Sequence, residues 1–166
     1  MKMRILGIDP GIGRMGWGVI DSQGSKLRVC GFGCVETSAK ENISKRLEKI
    51  YDEVLKLIKL HKPDEMAVEE LFFNTNSKTA FAVGQARGVI LLAGEKSKIL
   101  NFTYTPLEVK MALTGYGRAE KGQVGVMVKN LLALKSIPKP DDTADALAVA
   151  ITHSFSGLKR VKKAML

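Results

Sequence analysis

Four acidic residues occupy positions where a carboxylate could do chemistry: Asp9, Glu69, Asp142 and Asp145. Asp9 ends the apolar run at residues 5–8 and precedes a Pro-Gly pair, so a buried strand would fix its direction. Glu69 lies near the end of another apolar strand, and Asp142 and Asp145 share one face of a helix. Carboxylates that converge in one cleft bind cations, and all-oxygen ligand sets favour Mg²⁺ or Mn²⁺ over zinc. The pattern predicts a divalent-metal site if the fold brings the four acids together.

Each acid has an ordinary explanation as well. Asp9 precedes Pro-Gly, and its side chain can hydrogen-bond its own turn. Glu69 can simply be exposed at a strand end, and the helix dipole favours an acid such as Asp142 in a first turn. Asp145 is the hardest to explain in this way, because alanines flank it in an apolar helix. An ionised acid there needs a partner, and a metal ion would serve.

The chain before residue 38 is predicted to form three antiparallel strands. The first strand ends at Asp9. Gly13, Gly16 and Gly18 favour a tight return into the second strand, and residues 26–37 alternate well enough to form the third.

An amphipathic helix is predicted over residues 41–60, and Pro63 ends it. Residues 64–70 then return as a fourth strand. Because a strand that follows a crossover helix usually runs parallel to an earlier one, we place it beside the first strand. This pairing would bring Glu69 next to Asp9.

The rest of the chain, after residue 70, is predicted to form helices and one short strand. Asp142 and Asp145 lie at the start of the last helix, and His153 further along it is either structural or exposed. The predicted elements are a helix to about residue 95 with N-cap candidates at 74–77, a strand at 102–105, a helix from Pro106, a basic loop at 115–122, a helix at 123–134 and a last helix from Pro138.

The net charge of +9 is unevenly distributed over the 166 residues. Residues 1–70 carry 12 Lys or Arg against 11 Asp or Glu, whereas residues 71–132 carry 8 against 3. The last eight residues carry 4 basic side chains and no acidic one. A basic field around a small acidic cluster suits a nuclease, because the field holds phosphates while the cluster holds metal. The alternative is that the basic excess serves only solubility.

The sequence favours a single domain in a reducing compartment. No apolar run is long enough to span a bilayer, and the N-terminus has no signal-peptide layout. Cys30 and Cys34 are expected on the same face of a strand, too far apart for a disulfide, as buried free thiols. Two Cys and two His at distant positions do not make a zinc site. We therefore expect a cytoplasmic protein.

Several further residues are candidates for contacts with a partner. Phe72 is either a core anchor or an aromatic that stacks on a nucleobase. Arg118 and Lys121 lie in a glycine-containing loop that either meets phosphates or is a solvated linker. Gly84 and Gly88 leave a smooth stripe on their helix, which either packs in the core or forms a two-fold dimer contact.

The order of these motifs is similar to that of the ribonuclease H-like fold. More specifically, the sequence resembles the RuvC family of Holliday-junction resolvases, and the resemblance runs in order from Ile5 to His153 without a large insertion. The matching segments are residues 7–11, residues 67–70 with Phe72, residues 84–88, residues 119–121, residues 142–148 and residues 150–153.

The resemblance implies an α/β protein with a ribonuclease H-like mixed five-stranded sheet flanked by helices. Residues 1–156 would form the nuclease domain, and residues 157–166 a basic C-terminal tail. The implied activity is a crossover junction endodeoxyribonuclease, which cuts four-way DNA by paired metal-dependent nicks that leave 5′-phosphate and 3′-hydroxyl ends. The implied partners are four-way junction DNA, a second copy of the chain joined through the helix that contains Gly84 and Gly88, and the RuvA–RuvB branch-migration complex.

The resemblance also implies roles for individual residues. The catalytic acids would be Asp9, Glu69, Asp142 and Asp145, which would hold two Mg²⁺ ions, with Mn²⁺ as a substitute. Lys121 would join them as a catalytic residue beside the phosphate. The residues expected to contact DNA are Phe72, Arg87, Lys110, Arg118 and Lys121.

Two other functions fit part of the pattern. An ATPase of the actin and sugar-kinase type also has an acid and a phosphate loop after its first strand. That fold needs two domains that face a nucleotide, and the second glycine-rich loop is missing from this sequence. The other alternative is a non-catalytic DNA-binding module in which the acids only cap helices and turns.

Overall fold

Five strands form one mixed sheet in the computed structural model, which describes residues 2–70 and 77–157, with the side chains of 77 and 78 left out. The sheet order is β3-β2-β1-β4-β5. The first three strands are antiparallel, whereas β4 and β5 run parallel to β1. The mixed five-stranded sheet expected from the sequence is confirmed. The strands are β1 (Met3–Asp9), β2 (Arg14–Gln23), β3 (Lys26–Glu36), β4 (Glu65–Glu69) and β5 (Leu100–Tyr104).

Helices cover both faces of the sheet. Alternation along β1 sends Leu6 and Ile8 into a core with α1 and α2, and sends Ile5 into a core with the other three helices. Among the described residues no helix is long and apolar enough to cross a membrane. The helices are α1 (Ile43–His61), α2 (Ser77–Lys96), α3 (Pro106–Thr114), α4 (Lys121–Leu131) and α5 (Asp141–Phe155).

The crossover from β3 to β4 sets the positions of the first two acids. Asn42 caps α1 by accepting a 3.0 Å hydrogen bond from the Lys45 N–H, and α1 returns the chain to the start of β4. Ile8 pairs with Val68 in the parallel ladder, so each strand next reaches its acid, Asp9 or Glu69. The predicted placement of β4 beside β1 is confirmed.

Helix α5 lies directly on β1 and β2 because glycines leave room for it. A Cβ added at Gly7 would meet the Ala146 carbonyl and lie 2.8 Å from the Ala150 Cβ. A Cβ at Gly16 would collide with the Asp142 carbonyl, and one at Gly18 would lie 2.5 Å from Leu147. Gly16 and Gly18, which were expected to permit the tight return into the second strand, lie inside β2 and serve this close approach instead.

The far end of α5 is anchored by a buried histidine. His153 is fully buried, with its Nδ1 2.7 Å from the Tyr104 hydroxyl and its Nε2 2.6 Å from a Glu65 oxygen. The Phe102 ring packs 4.6 Å from the imidazole, centroid to centroid. These contacts tie the last turns of α5 to β4 and β5, so His153 is structural rather than exposed.

Three smaller expectations need correction. A bulge between Val19 and Ile20 breaks the alternation in β3, so Cys30 packs against the α1 and α2 side. Cys34 pairs opposite Gly16, on the α5 side, and both thiols are half-buried rather than buried. The helix expected at 123–134 runs from Lys121 to Leu131, which shortens the preceding loop.

We predict that Gly16→Ala separates α5 from the sheet. The new methyl group would overlap the Asp142 carbonyl, which is backbone and cannot move aside alone. Overpacking of this kind destabilises by about 1–3 kcal/mol, which chemical denaturation would measure. Gly122→Ala is the matched control, because a Cβ at Gly122 meets no atom within 4 Å. Equal stability of the two variants would contradict this account of α5.

Candidate active site

The four acids meet at one edge of the sheet. Asp9 and Glu69 are the last residues of β1 and β4, and Asp142 and Asp145 lie in the first turns of α5. Gly16 pairs directly with Asp9 in the antiparallel ladder, and the same glycine packs under the Asp142 backbone. The start of α5 is therefore held over the strand position next to Asp9. All four side chains are half-buried.

The electrostatics of Asp9 show that the four carboxyls interact. Burial raises the pKa of Asp9 well above its usual range, and the charges of Glu69, Asp145 and Asp142 raise that pKa further. A hydrogen bond between the Asp9 and Glu69 carboxyls contributes in the same direction. A cation beside these carboxyls would favour their charged forms and so oppose this shift of the pKa.

Glu69 and Asp145 are perturbed for the same reasons. Burial raises the pKa of Glu69 to about 7, and the charge of Asp145 adds to this shift, while Asp9 and Lys121 oppose it. Burial also raises the pKa of Asp145, although the hydrogen bond and charge of Lys121 act against the increase. The charged forms of these carboxyls are therefore disfavoured, as is common for titratable groups in functional sites.

Basic residues line the cleft beside the acids. The Lys121 Nζ lies 2.8 Å from the Asp145 Oδ2. Lys110 on α3 shares a cleft of about 190 Å³ with Lys121, Asp145 and Glu69. The apolar part of that cleft comes from Pro106, Val109 and Val124. The structure thus brings Lys110 and Lys121 to the acids, whereas Arg118 is exposed in the loop between α3 and α4.

The remaining sequence candidates lie elsewhere. Arg87 is half-buried on α2, and its Nε has no hydrogen-bond partner among the described residues. Phe72 lies outside the described residues. Glu70, the neighbour of Glu69, is exposed and donates its backbone N–H to the Tyr104 carbonyl at 2.8 Å. The strand alternation therefore turns Glu69, and not Glu70, toward the cluster.

The turn after Asp9 is supported by two residues that the sequence did not single out. The Thr37 hydroxyl donates to the Ile12 carbonyl, and the Thr37 N–H donates to the Gly13 carbonyl at 3.0 Å. The Arg46 Nε in turn donates to the Thr37 hydroxyl at 2.9 Å. A signal was present, because Arg46 lies four residues before Ile50 on the otherwise apolar stripe of α1.

The donor set fits hard divalent cations. It consists of carboxylate oxygens, which Mg²⁺ and Mn²⁺ prefer, and the raised pKa values show that a positive charge would be stabilised there. As the described side chains stand, no three His, Cys, Asp or Glu residues are grouped closely enough to hold an ion. The Lys121–Asp145 ion pair occupies a carboxylate oxygen that a metal would use.

We predict that Glu69→Gln changes how the stability of the metal-free protein depends on pH. Between pH 4.5 and about 7 the folded state keeps a proton that the unfolded chain releases, so wild-type stability falls as the pH rises through this window. The amide carries no charge, so the free energy of unfolding of the variant should exceed that of the wild type by about 3 kcal/mol at pH 8 and match it near pH 4.

Denaturant titrations in EDTA at several pH values would measure this difference. Glu70→Gln is the control, since that exposed side chain should leave the pH slope unchanged. A Glu69→Gln variant that is less stable than the wild type at every pH would show that the carboxylate is instead a structural hydrogen-bond acceptor.

Comparison with known proteins identifies relatives along most of the chain. A family model described as crossover junction endodeoxyribonuclease RuvC matches residues 5–153. A protein of that name from Brevibacillus brevis is 55% identical over 152 residues, which is 92% of this chain and 92% of the relative. Another from Rubrobacter xylanophilus is 54% identical over 155 residues, covering 93% of this chain and 87% of the relative.

Solved structures agree with the sequence relatives. T. thermophilus RuvC in complex with a Holliday junction substrate superposes with a TM-score of 0.88 at 40% identity, over 92% of this chain and 93% of that protein. The yeast mitochondrial Holliday junction resolvase Ydc2 shares the fold, with a TM-score of 0.62 at 12% identity, over 98% of this chain and 86% of that protein. The family model and the extent of these matches establish that the chain belongs to the RuvC family of crossover junction endodeoxyribonucleases.

Proposed function

We propose that this protein resolves four-way DNA junctions in recombination and repair, by paired metal-dependent nicks that leave 5′-phosphate and 3′-hydroxyl ends. The observation that carries the proposal is the meeting of Asp9, Glu69, Asp142 and Asp145 at one edge of the sheet, beside two lysines. The similarity to a RuvC solved with a Holliday junction supports the substrate.

Asp9, Glu69, Asp142 and Asp145 would hold the metal, which we propose to be two Mg²⁺ ions, with Mn²⁺ as a substitute. Divalent ions bound there supply an activated water and stabilise the leaving oxygen of a phosphoryl displacement. Four ionised carboxylates in a half-buried cleft repel one another unless cations are bound there. Ligation by both Asp9 and Glu69 requires both carboxyls in their charged form, which a bound cation favours.

The lysines of the cleft would hold the DNA strand at the acids. Lys110 and Lys121 come from different helices and line the same cleft as Glu69 and Asp145, so a phosphate placed there would lie near both side chains. We propose that Lys121 also stabilises charge on the phosphate during displacement. Phe72, Arg87 and Arg118 stay proposed DNA contacts, with the basic excess of residues 71–132 as support.

A homodimer would supply two such clefts and so cut two strands. The helix that carries Gly84 and Gly88 has an open surface, since a Cβ at Gly88 meets no atom within 4 Å. Phe81 and Leu92 on α2 and Leu100 on β5 are 71%, 48% and 60% exposed. Leu92 and Leu100 line a largely apolar groove of about 580 Å³ that a second copy could cover. Contact with RuvA–RuvB and a cytoplasmic location stay predictions.

The alternatives differ in a measurable way. The described residues form one sheet with its helices, whereas an ATPase of the actin type needs two such domains around a nucleotide. A non-catalytic DNA-binding module would bind junctions but leave every strand intact. Metal-dependent cutting therefore separates both alternatives from the proposed nuclease.

We predict that Asp9→Asn, Glu69→Gln and Asp145→Asn each lower junction cleavage by at least about 100-fold, because each removes a metal-ligating charge worth several kcal/mol in the transition state. The assay uses end-labelled four-way and linear duplexes, with and without Mg²⁺. Wild-type protein should nick opposite strands of the junction symmetrically and leave the linear duplex intact.

Glu70→Gln is the matched control and should cut at the wild-type rate, because Glu70 is exposed and is turned away from the cluster. Substantial cleavage by one of the three acid variants would remove that residue from the role. Cutting of linear DNA at the same rate would indicate a general nuclease.

A further inference from the structure

One ion pair joins two helices across the cleft. Lys121 is the first residue of α4, and its Nζ reaches the Asp145 Oδ2 on α5 at 2.8 Å. The Lys121 side chain is 63% exposed, whereas that of Asp145 is only 22% exposed. A flexible and largely solvated side chain therefore neutralises a carboxylate that is mostly shielded from water.

The backbone under Lys121 is fixed independently of this ion pair. Glu120 and Gln123 form a capping box at the start of α4, in which the Glu120 N–H donates to the Gln123 Oε1 at 2.9 Å. The Lys121 ammonium can therefore leave Asp145 by rotation of its own side chain. No rearrangement of α4 is needed.

The charge around the pair explains why the ammonium lies there. Burial alone would lower the pKa of Lys121, but its hydrogen bond to Asp145 and the charges of Asp145, Asp141 and Asp9 raise that pKa. Among the described residues, Lys121 is the side chain that forms an ion pair with the proposed ligand set. Lys121 thus supplies part of the positive charge that the acids require without metal.

The same position cannot serve a metal ion at the same time. An ammonium group in contact with Asp145 Oδ2 occupies that oxygen, and it would repel a divalent cation held a few ångströms away. Lys121 must also leave Asp145 to engage a phosphate fully. Metal binding, DNA binding and the position of this one side chain are therefore linked.

We propose that Lys121 is a displaceable counter-cation that competes with the divalent ion for Asp145 in DNA-free protein. A DNA phosphate would draw the ammonium away and so open Asp145 to metal. The inference rests on the proposed function and deepens it, because it makes the loaded site dependent on the presence of substrate. The consequence is weak metal binding without DNA.

The test measures Mn²⁺ affinity in DNA-free protein at low ionic strength, by the electron paramagnetic resonance signal of free Mn²⁺. Lys121→Met should bind Mn²⁺ about five- to tenfold more tightly than wild type, because it removes the competitor from Asp145. Lys121→Gln should behave in the same way and provides a second variant if the first does not fold. The gain should shrink at high salt, since Lys121 is largely exposed.

Lys139→Met is the matched control. Lys139 lines the neighbouring cleft that contains Asp145, but it pairs with Asp141 at 2.8 Å rather than with a proposed ligand. It should therefore change Mn²⁺ affinity by less than about twofold, the effect of a distant surface charge. An equal gain in Lys139→Met would overturn the proposal in favour of general electrostatics.

Unchanged Mn²⁺ binding in both Lys121 variants, including no detectable binding by any of the proteins, would also overturn it. The proposed function fails by a different result, namely absence of Mg²⁺-dependent junction cutting by the wild type. The two failures are therefore distinguishable.

Discussion

The close packing of α5 against β1 and β2 is the constraint on which the site depends. The contact is possible because Gly7, Gly16 and Gly18 present backbone where side chains would otherwise stand. A helix held this close places its first turns over the sheet edge where Asp9 ends β1. At the other end, His153 is held between Tyr104 and Glu65, so α5 is fixed at both ends. The positions of Asp142 and Asp145 are thus set by packing rather than by the acids themselves.

This packing forces like charges together, which is unfavourable for folding and useful for chemistry. The raised pKa values of Asp9, Glu69 and Asp145 reflect that conflict. Two contacts relieve it, namely the hydrogen bond between the Asp9 and Glu69 carboxyls and the Lys121 ammonium on Asp145. We propose that cations replace both arrangements without movement of the backbone. The rigid scaffold and the exchangeable charges are therefore separate parts of the same site.

Local pattern was sufficient for the sheet and for the approach of Asp9 and Glu69, because apolar alternation and a crossover helix determine which strands pair. Local pattern was insufficient wherever a residue's role depends on contact with a residue far away in the sequence. Gly16 looked like a turn residue because nothing near it in the sequence indicates its role. That role is to leave room for α5, which begins more than 120 residues later. The Arg46–Thr37 support of the turn and the Lys121–Asp145 ion pair likewise join separate elements. Cys30 and Cys34 were misplaced by a bulge that leaves no mark in the alternation.

Anomalous X-ray diffraction from crystals of the wild-type protein soaked in Mn²⁺ would show whether the four acids bind metal. The measurement locates bound metal without relying on activity. We expect anomalous peaks bounded by Asp9, Glu69, Asp142 and Asp145, with Lys121 turned away from Asp145. Peaks confined to other surfaces at saturating Mn²⁺, with the Lys121–Asp145 ion pair still in place, would contradict this expectation.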